Sequence, residues 1–398
     1  MKIAMLTPYL PYPPDTGGKI RSYYLLKALS SKHEVDLISV YYEREPEGVE
    51  QVRRICSSVS LFRLSRPWTR SDRLKRIMAP MPLSVDHFYM PEAAIEVNKV
   101  LEKGNYNLIY VDELCMTSYT TGIDDIPQIL GRQKIDYVHY QEVAAARGWG
   151  RQKLLDLLEC HKLKHYERKT LNENYYARCI VCSERDKETL LVLNPTLRIV
   201  VIPNGADTAY FRPQPPPADN APTLIFTGTM FYYPNIDAVL YFFDRIYPHI
   251  VARVPDVRVL IVGHNPAPEI KDLERFSNVR VTGYVPDIRP YIAQSTAMIV
   301  PLRLGGGTRL KILEAMAMER PVISTSIGAE GLAVQAGEGI MIADDPLNFA
   351  SKTVELLQSP ELRHRIVARA RRLVENSYSW DVLGKRFLEA CQEAVHQQ

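Results

Sequence analysis

Along this chain short apolar runs recur at intervals that leave room for one helix each. In the first half the runs are Ile3–Leu6, Val35–Val40, Leu108–Val111, Ile180–Cys182 and Ile199–Ile202, and the stretches between them carry helical periodicity. That alternation predicts a parallel sheet with crossover helices. The rhythm then breaks at Phe211–Pro222, where Pro213, Pro215, Pro216, Pro217 and Pro222 fall within ten residues; neither a helix nor a central strand tolerates such spacing. It resumes with Thr223–Thr227, Val257–Val262, Val279–Thr282, Ala297–Val300 and Pro321–Ser324, followed by a final amphipathic helix from about Trp380 to Gln398. The expectation is therefore α/β twice over: a first Rossmann-like domain over 1–210, a linker over 211–222 and a second Rossmann-like domain over 223–379.

Composition narrows this picture without redirecting it. At 398 residues the chain exceeds one compact core. The 46% hydrophobic and 24% charged fractions are those of a globular protein, and a net charge of +3 excludes a histone-like balance, so nucleic acid is not an expected partner. Six scattered cysteines do not make a disulfide framework, which points to a reducing cytoplasm. The apolar N-terminal run ends in prolines and is too short for a signal sequence, and no run approaches the ~20 residues of a membrane span.

The strongest chemistry lies in Gly305-Gly306-Gly307-Thr308-Arg309-Leu310-Lys311-Ile312-Leu313-Glu314. A glycine loop running into a helix N-terminus favours phosphate, because unpaired N–H groups and the dipole both face the anion. Thr308 is the expected N-cap. Lys311 and Glu314 would share one face, with Leu310, Leu313 and Ala317 forming the anchoring stripe, and Glu314 would accept from ribose hydroxyls. The competing reading is a solvated helix with an ordinary surface ion pair. A second anion-site candidate, Gly17-Gly18 within Pro13–Arg21, follows the first strand, where doubly wound folds bind ligands; without a third glycine it reads equally as a tight turn.

Taken together with Pro11–Gly18, Val201–Asp207 through Phe211, Gly305–Ala317, Pro321–Thr325 and Gly328–Gly331, these motifs resemble the retaining GT-B glycosyltransferases of family four, over nearly the whole length. The resemblance implies a fold of two Rossmann-like domains facing a cleft, with helix 380–398 returning to the first. It implies transfer of a sugar from a nucleoside-diphosphate donor, bound by the second domain, to a carbohydrate or lipid-linked acceptor hydroxyl handled by the first, in polysaccharide or glycolipid assembly. Glu314 matches the ribose-binding glutamate and Gly18 the loop glycine near the diphosphate. Two departures stand out. Gly306 occupies the place of the family's first glutamate, and no cation stands near Gly228 where the family's diphosphate-neutralising residues fall, so Arg309 and Lys311 are the expected replacements. The family's first-domain histidine aligns with Gln133; His139 stands nearby as an alternative or as a surface residue. Asp112 and Glu113, at a predicted strand end, either orient the acceptor or are solvated loop acids.

No metal or cofactor beyond the sugar nucleotide is expected. His161 and His165 share a helix face without a third ligand, Cys179 and Cys182 read as strand packing, and helix dipoles with cations replace a divalent ion. A basic and apolar stretch, Arg53–Met78 with Phe62 and Trp68, suggests a peripheral protein at the inner face of the membrane, or arginines solvating a surface while Trp68 packs inward. Two alternatives to the transferase remain: a sugar-nucleotide epimerase, and a catalytically degenerate nucleotide-sugar-binding subunit, the latter suggested by Gly306 and Gln133.

Overall fold

The computed structural model describes residues 1–42, 46–65, 75–174, 176–215, 221–305, 309–334 and 339–396. The chain divides into two compact units, one of Met1–Pro203 with Leu383–Gln398, the other of Asn204–Val382. Residues 204–211 fall with the second unit because Ala206 bridges to Ser379 and is buried in its core, with Phe211 packed against that core.

The first unit is built on a seven-stranded sheet in the order β3-β2-β1-β4-β5-β6-β7. Its strands are β1 (Lys2–Thr7), β2 (Glu34–Tyr42), β3 (Ser58–Leu64), β4 (Leu108–Asp112), β5 (Gln128–Gly131), β6 (Arg178–Val181) and β7 (Ile199–Val201). All neighbours are parallel, with Ile3 opposite both Val35 and Leu108. The two central strands are apolar on both faces because helices cover both; Ile3–Leu6 and Leu108–Val111 are entirely buried. Helix Trp380–His396 places Leu383, Phe387, Ala390, Cys391 and Ala394 on its buried stripe, and the Phe387 ring meets Tyr110 of β4 edge-on at 5.1 Å.

The second unit has a six-stranded parallel sheet, order β10-β9-β8-β11-β12-β13, from β8 (Thr223–Thr227), β9 (Arg258–Val262), β10 (Val279–Val281), β11 (Ala297–Val300), β12 (Val322–Ser324) and β13 (Met341–Ile342). β3, β5 and β13 were not anticipated. β3 and β13 are edge strands, and β5 is four residues directly after Pro127, too short to show a period.

Strand order locates the ligand crevices. In each sheet the direction of winding reverses once, between β1 and β4 and between β8 and β11, and a doubly wound sheet opens at the carboxyl ends of those strands. Both anion-site candidates of the sequence issue from these ends.

Candidate functional site

At the β8–β11 reversal, helix Leu310–Ala317 begins five residues after Gly305. The residue directly before it is Arg309, not Thr308, and Arg309 makes no side-chain cap bond. Thr308, with Gly306 and Gly307, lies outside the described residues. The helix is not a solvated one: Ile312 through Ala317 are all buried, Glu314 included at 8% exposure, because an eight-residue helix here sits inside the core cluster on nearly every side.

Lys311 is half-buried and turned toward the β8 loop. Its Nζ donates to Asn235 Oδ1 at 3.1 Å and stands 3.8 Å from the centre of the Phe226 ring. Asn235 is fixed in turn by donating to the Thr229 carbonyl at 3.0 Å. A Cβ on Gly228 would lie 2.8 Å from Asn235 Nδ2 and 3.0 Å from Lys311 Nζ, so glycine is what lets the ammonium reach the strand end. Burial and the nearby charge of Arg309 push the Lys311 ammonium down to about 7, and burial lifts the Glu314 carboxyl to about 7, opposed by Lys311. Among the described residues no hydrogen bond or ion pair engages the Glu314 carboxylate. The Arg309 guanidinium folds back to donate to the Gly305 carbonyl, with Gly305 itself at φ +95°.

Asn235, Phe226 and the next loop were missed by the sequence reading. Gly263, directly after β9, has its Cβ position 1.7 Å from the Gly228 carbonyl oxygen, and Thr229 Oγ1 lies 3.4 Å from His264 Nε2. Two glycines directly after adjacent strand runs were the available signal.

At the β1–β4 reversal the first unit assembles a second polar cluster. Gly17 opens helix Gly17–Ser30, and the Cβ position of Gly18 falls 2.1 Å from Tyr9 Oη and 3.2 Å from Gln133 Oε1. Gln133 Nε2 donates to the Gly18 carbonyl at 3.3 Å, and its side chain also hydrogen-bonds Tyr9. Burial, with the charges of Asp112 and Glu113, raises the Tyr9 hydroxyl well above its ordinary value. Thus Gly18 and Gln133, 115 positions apart, meet around a tyrosine the sequence reading did not single out.

Asp112 and Glu113 are not solvated loop acids. Asp112 is the last residue of β4, fully buried, and accepts from Ser22 Oγ; Glu113 takes Arg132 Nη1 at 3.1 Å and the Gln133 backbone N–H at 3.1 Å. Burial raises both carboxyls. Glu113 holds φ +79°, a left-handed conformation that is strained for glutamate and is maintained by those two bonds. Arg132, also unanticipated, is buried among Glu113, Asp136 and Glu167 at 3.1, 3.1 and 2.8 Å. His139, one turn into helix Asp136–Ala146, lies with its ring edge-on to Tyr140 at 5.8 Å, in the neighbourhood of Asp136. Cys179 and Cys182 are both buried, while His161 and His165 are both exposed on helix Arg151–Glu173. Of the basic stretch, residues 66–74, Trp68 among them, lie outside the described residues; Arg76 pairs with Asp86.

Residues 221–359, which lie within the second unit, match the family described as Glycosyl transferases group 1. An uncharacterized 44.6 kDa protein in the cps region of Klebsiella pneumoniae is 23% identical over 95% of this chain and 96% of its own. A phosphatidyl-myo-inositol mannosyltransferase of Mycolicibacterium smegmatis is 29% identical over 48% of this chain, a match that spans half of that relative's length. Among solved structures, sucrose-phosphate synthase from Thermosynechococcus elongatus superposes with a TM-score of 0.74 at 18% identity, covering all of both chains. The fold is therefore GT-B, two parallel-sheet α/β units.

Proposed function

We propose that this chain, whose residues 221–359 match the glycosyl transferases group 1 family, moves a sugar from a nucleoside-diphosphate donor to an acceptor hydroxyl with retention of configuration. The observation that carries the reading is the set Gly228, Asn235, Arg309, Lys311 and Glu314 gathered at the β8–β11 reversal. Two cations beside a helix N-terminus suit a diphosphate, and a buried carboxylate one turn further suits ribose hydroxyls. As the sugar–phosphate bond lengthens, charge grows on the leaving diphosphate, and Lys311, Arg309 and the loop amides around Gly305 meet it; single donors in such roles lower the barrier by about 2.7–4 kcal/mol. In this reading these groups take the part a divalent metal plays elsewhere, and the sugar nucleotide is the only co-substrate.

The first unit is assigned the acceptor. Gln133, Tyr9 and Gly18 present neutral hydrogen-bonding groups beside Asp112 and Glu113, the donor and acceptor mix a sugar hydroxyl requires. His139 keeps a supporting place one turn away. The mannosyltransferase relative acts, by its name, on phosphatidyl-myo-inositol, and the Klebsiella relative is named for a cps region, so a lipid-linked or carbohydrate acceptor in polysaccharide or glycolipid assembly is the class proposed, handled at the inner face of the membrane with no nucleic-acid partner.

A panel of nucleoside-diphosphate sugars is first ranked by thermal shift, since a ligand bound only by the folded state raises Tm. The best donor is then incubated with and without lipid-linked and free sugar acceptors, and nucleoside diphosphate and product anomeric configuration are read out. Acceptor-dependent release with a retained anomer is expected. An isomerised sugar nucleotide overturns the reading in favour of an epimerase, and tight binding without turnover overturns it in favour of a sensing subunit.

A further inference from the structure

Helix Arg151–Glu173 buries charge as well as apolar side chains: Asp156, Glu159, Lys162 and Glu167 lie inward with Leu163 and Leu171. Each charge is matched, Asp156 with Arg147 at 2.9 Å, Glu159 with the Leu83 and Ser84 backbone N–H groups at 3.0 and 2.9 Å, Lys162 with the Ile77 carbonyl at 2.7 Å, and Glu167 with Arg132. Its outward face carries Leu154, Leu157 and Leu158, 58%, 42% and 38% exposed, and Trp149 just before the helix is 84% exposed. A helix in water normally turns the apolar side inward. Contiguous exposed apolar surface of this kind marks a contact with something apolar.

The charge around these residues identifies that something. The outward positions continue as His161, Lys164, His165, Arg168 and Lys169, and Arg151 and Lys153 flank Trp149, with Lys153 Nζ 5.0 Å from the indole centre. The exposed carboxylate of the helix is Glu173 at its far end, 3.7 Å from Lys169. Leucines and one tryptophan at the tip, with cations outnumbering that single acid behind them, form the pattern of a helix seated at an anionic interface.

We infer that the Trp149–Leu154–Leu157–Leu158 face, with its cationic flank, docks the first unit onto an anionic lipid bilayer. The inference rests on the membrane-side reading proposed above, to which it gives a docking face, and it stands on residues other than those of the transfer site. The face is separate from Arg53–Met78, the stretch from which membrane attachment was expected in the sequence.

The test is flotation of the full chain with vesicles of phosphatidylglycerol and phosphatidylcholine, against phosphatidylcholine alone, at low and high salt. Recovery with the anionic vesicles, falling with salt, is expected, and Leu157→Glu/Leu158→Glu should lower the partition coefficient at least tenfold. Lys164→Glu/Arg168→Glu should weaken binding comparably at low salt. All four side chains point outward, so Tm and calorimetric binding of UDP-glucose or GDP-mannose should match those of the unaltered chain; this separates failure of the docking face from failure of the transfer reading. Absence of recovery with anionic vesicles at low salt overturns the inference, as does undiminished recovery of the leucine variant. A self-associating chain that the leucine variant makes monomeric, without vesicle binding, assigns the face to a second copy instead.

Discussion

Donor binding should move protons, and in a direction that reverses near neutrality. Lys311 is held down to about 7 by burial beside Arg309, and Glu314 is held up to about 7 by burial alone. A bound diphosphate, doubly charged at every pH considered, favours the Lys311 cation; ribose hydroxyls donating to Glu314 favour its anion. At pH 8 only about a tenth of Lys311 is protonated before binding and nearly all after it, while Glu314 gives up the remaining tenth of its proton, so net uptake approaches about 0.8 proton per donor. At pH 6 the roles exchange. Lys311 is about nine-tenths charged, Glu314 must lose its proton, and a net of about 0.8 proton is released. Affinity should therefore peak near pH 7 and fall on both sides. The signs for the ligand-free protein agree: a depressed lysine loses its stabilising contribution as pH falls through about 7, and a raised carboxyl loses its own as pH rises through about 7. Calorimetric titration of a sugar nucleotide in two buffers of different ionisation enthalpy, at pH 6 and pH 8, reads the proton count directly. Lys311→Met should abolish the uptake at pH 8 and leave the release at pH 6, and Glu314→Gln should do the converse. Heats that do not depend on the buffer at either pH would show that neither group is at the donor, and the assignment of both would fall.

Three further outcomes follow from the geometry. Glu314→Gln should weaken donor binding by about 1.5–3 kcal/mol, the range for a hydrogen bond to a charged group, with Tm no lower, measured as Kd at pH 7.5. Gly18→Ala drives a methyl into Tyr9 Oη and should destabilise by about 1–3 kcal/mol while lowering turnover; adding Tyr9→Phe, which removes the colliding oxygen, should recover part of both, and no recovery would mean that the tyrosine is not what the glycine accommodates. Arg132→Met strands Glu113 and Glu167 in the interior without their cation and should cost about 3–5 kcal/mol in urea unfolding, with the paired variant Arg132→Met/Glu167→Leu recovering a substantial share.

What the sequence disclosed was what is local. The glycine loop, the helix after it and the long apolar strands are all short-range patterns, and they led directly to Lys311 and Glu314. It did not disclose that the helix carrying them is buried, since a Lys–Glu spacing of three looks the same on a surface as in a core. β5 stayed hidden because Gln128–Gly131 is too short for a period, although its end positions Arg132 and Gln133. Tyr9 was passed over because the reason for it, a missing side chain at Gly18 and an amide at Gln133, is visible only when three distant segments are together. The acid pair at Asp112 and Glu113 was located correctly at a strand end, yet its partner Arg132 lies nineteen residues on in sequence and its third carboxylate, Glu167, another thirty-five. The buried Asp156, Glu159, Lys162 and Glu167 of helix Arg151–Glu173 likewise defeat a periodicity argument, which places charge outward.

The last helix gives the biosynthesis of this protein an awkward order of events. Leu383 onward completes the first unit, whose other residues end at Pro203, some 180 positions earlier. At about 5–20 residues per second, on the order of ten to forty seconds pass on the ribosome between the emergence of those two parts. During that interval the surface of Tyr110 that Phe387 will cover, and the place where Gly384 meets Ala28, have no cover from their own chain. The nascent first half is thus an apolar-edged, unfinished object while the whole second unit is made, so a chaperone that shields it is a natural requirement for high yield. Expression of Met1–Pro203 alone invites aggregation, and a circular permutant that begins at Leu383 and joins His396 through a short linker to Met1 should fold its first unit as soon as it is made.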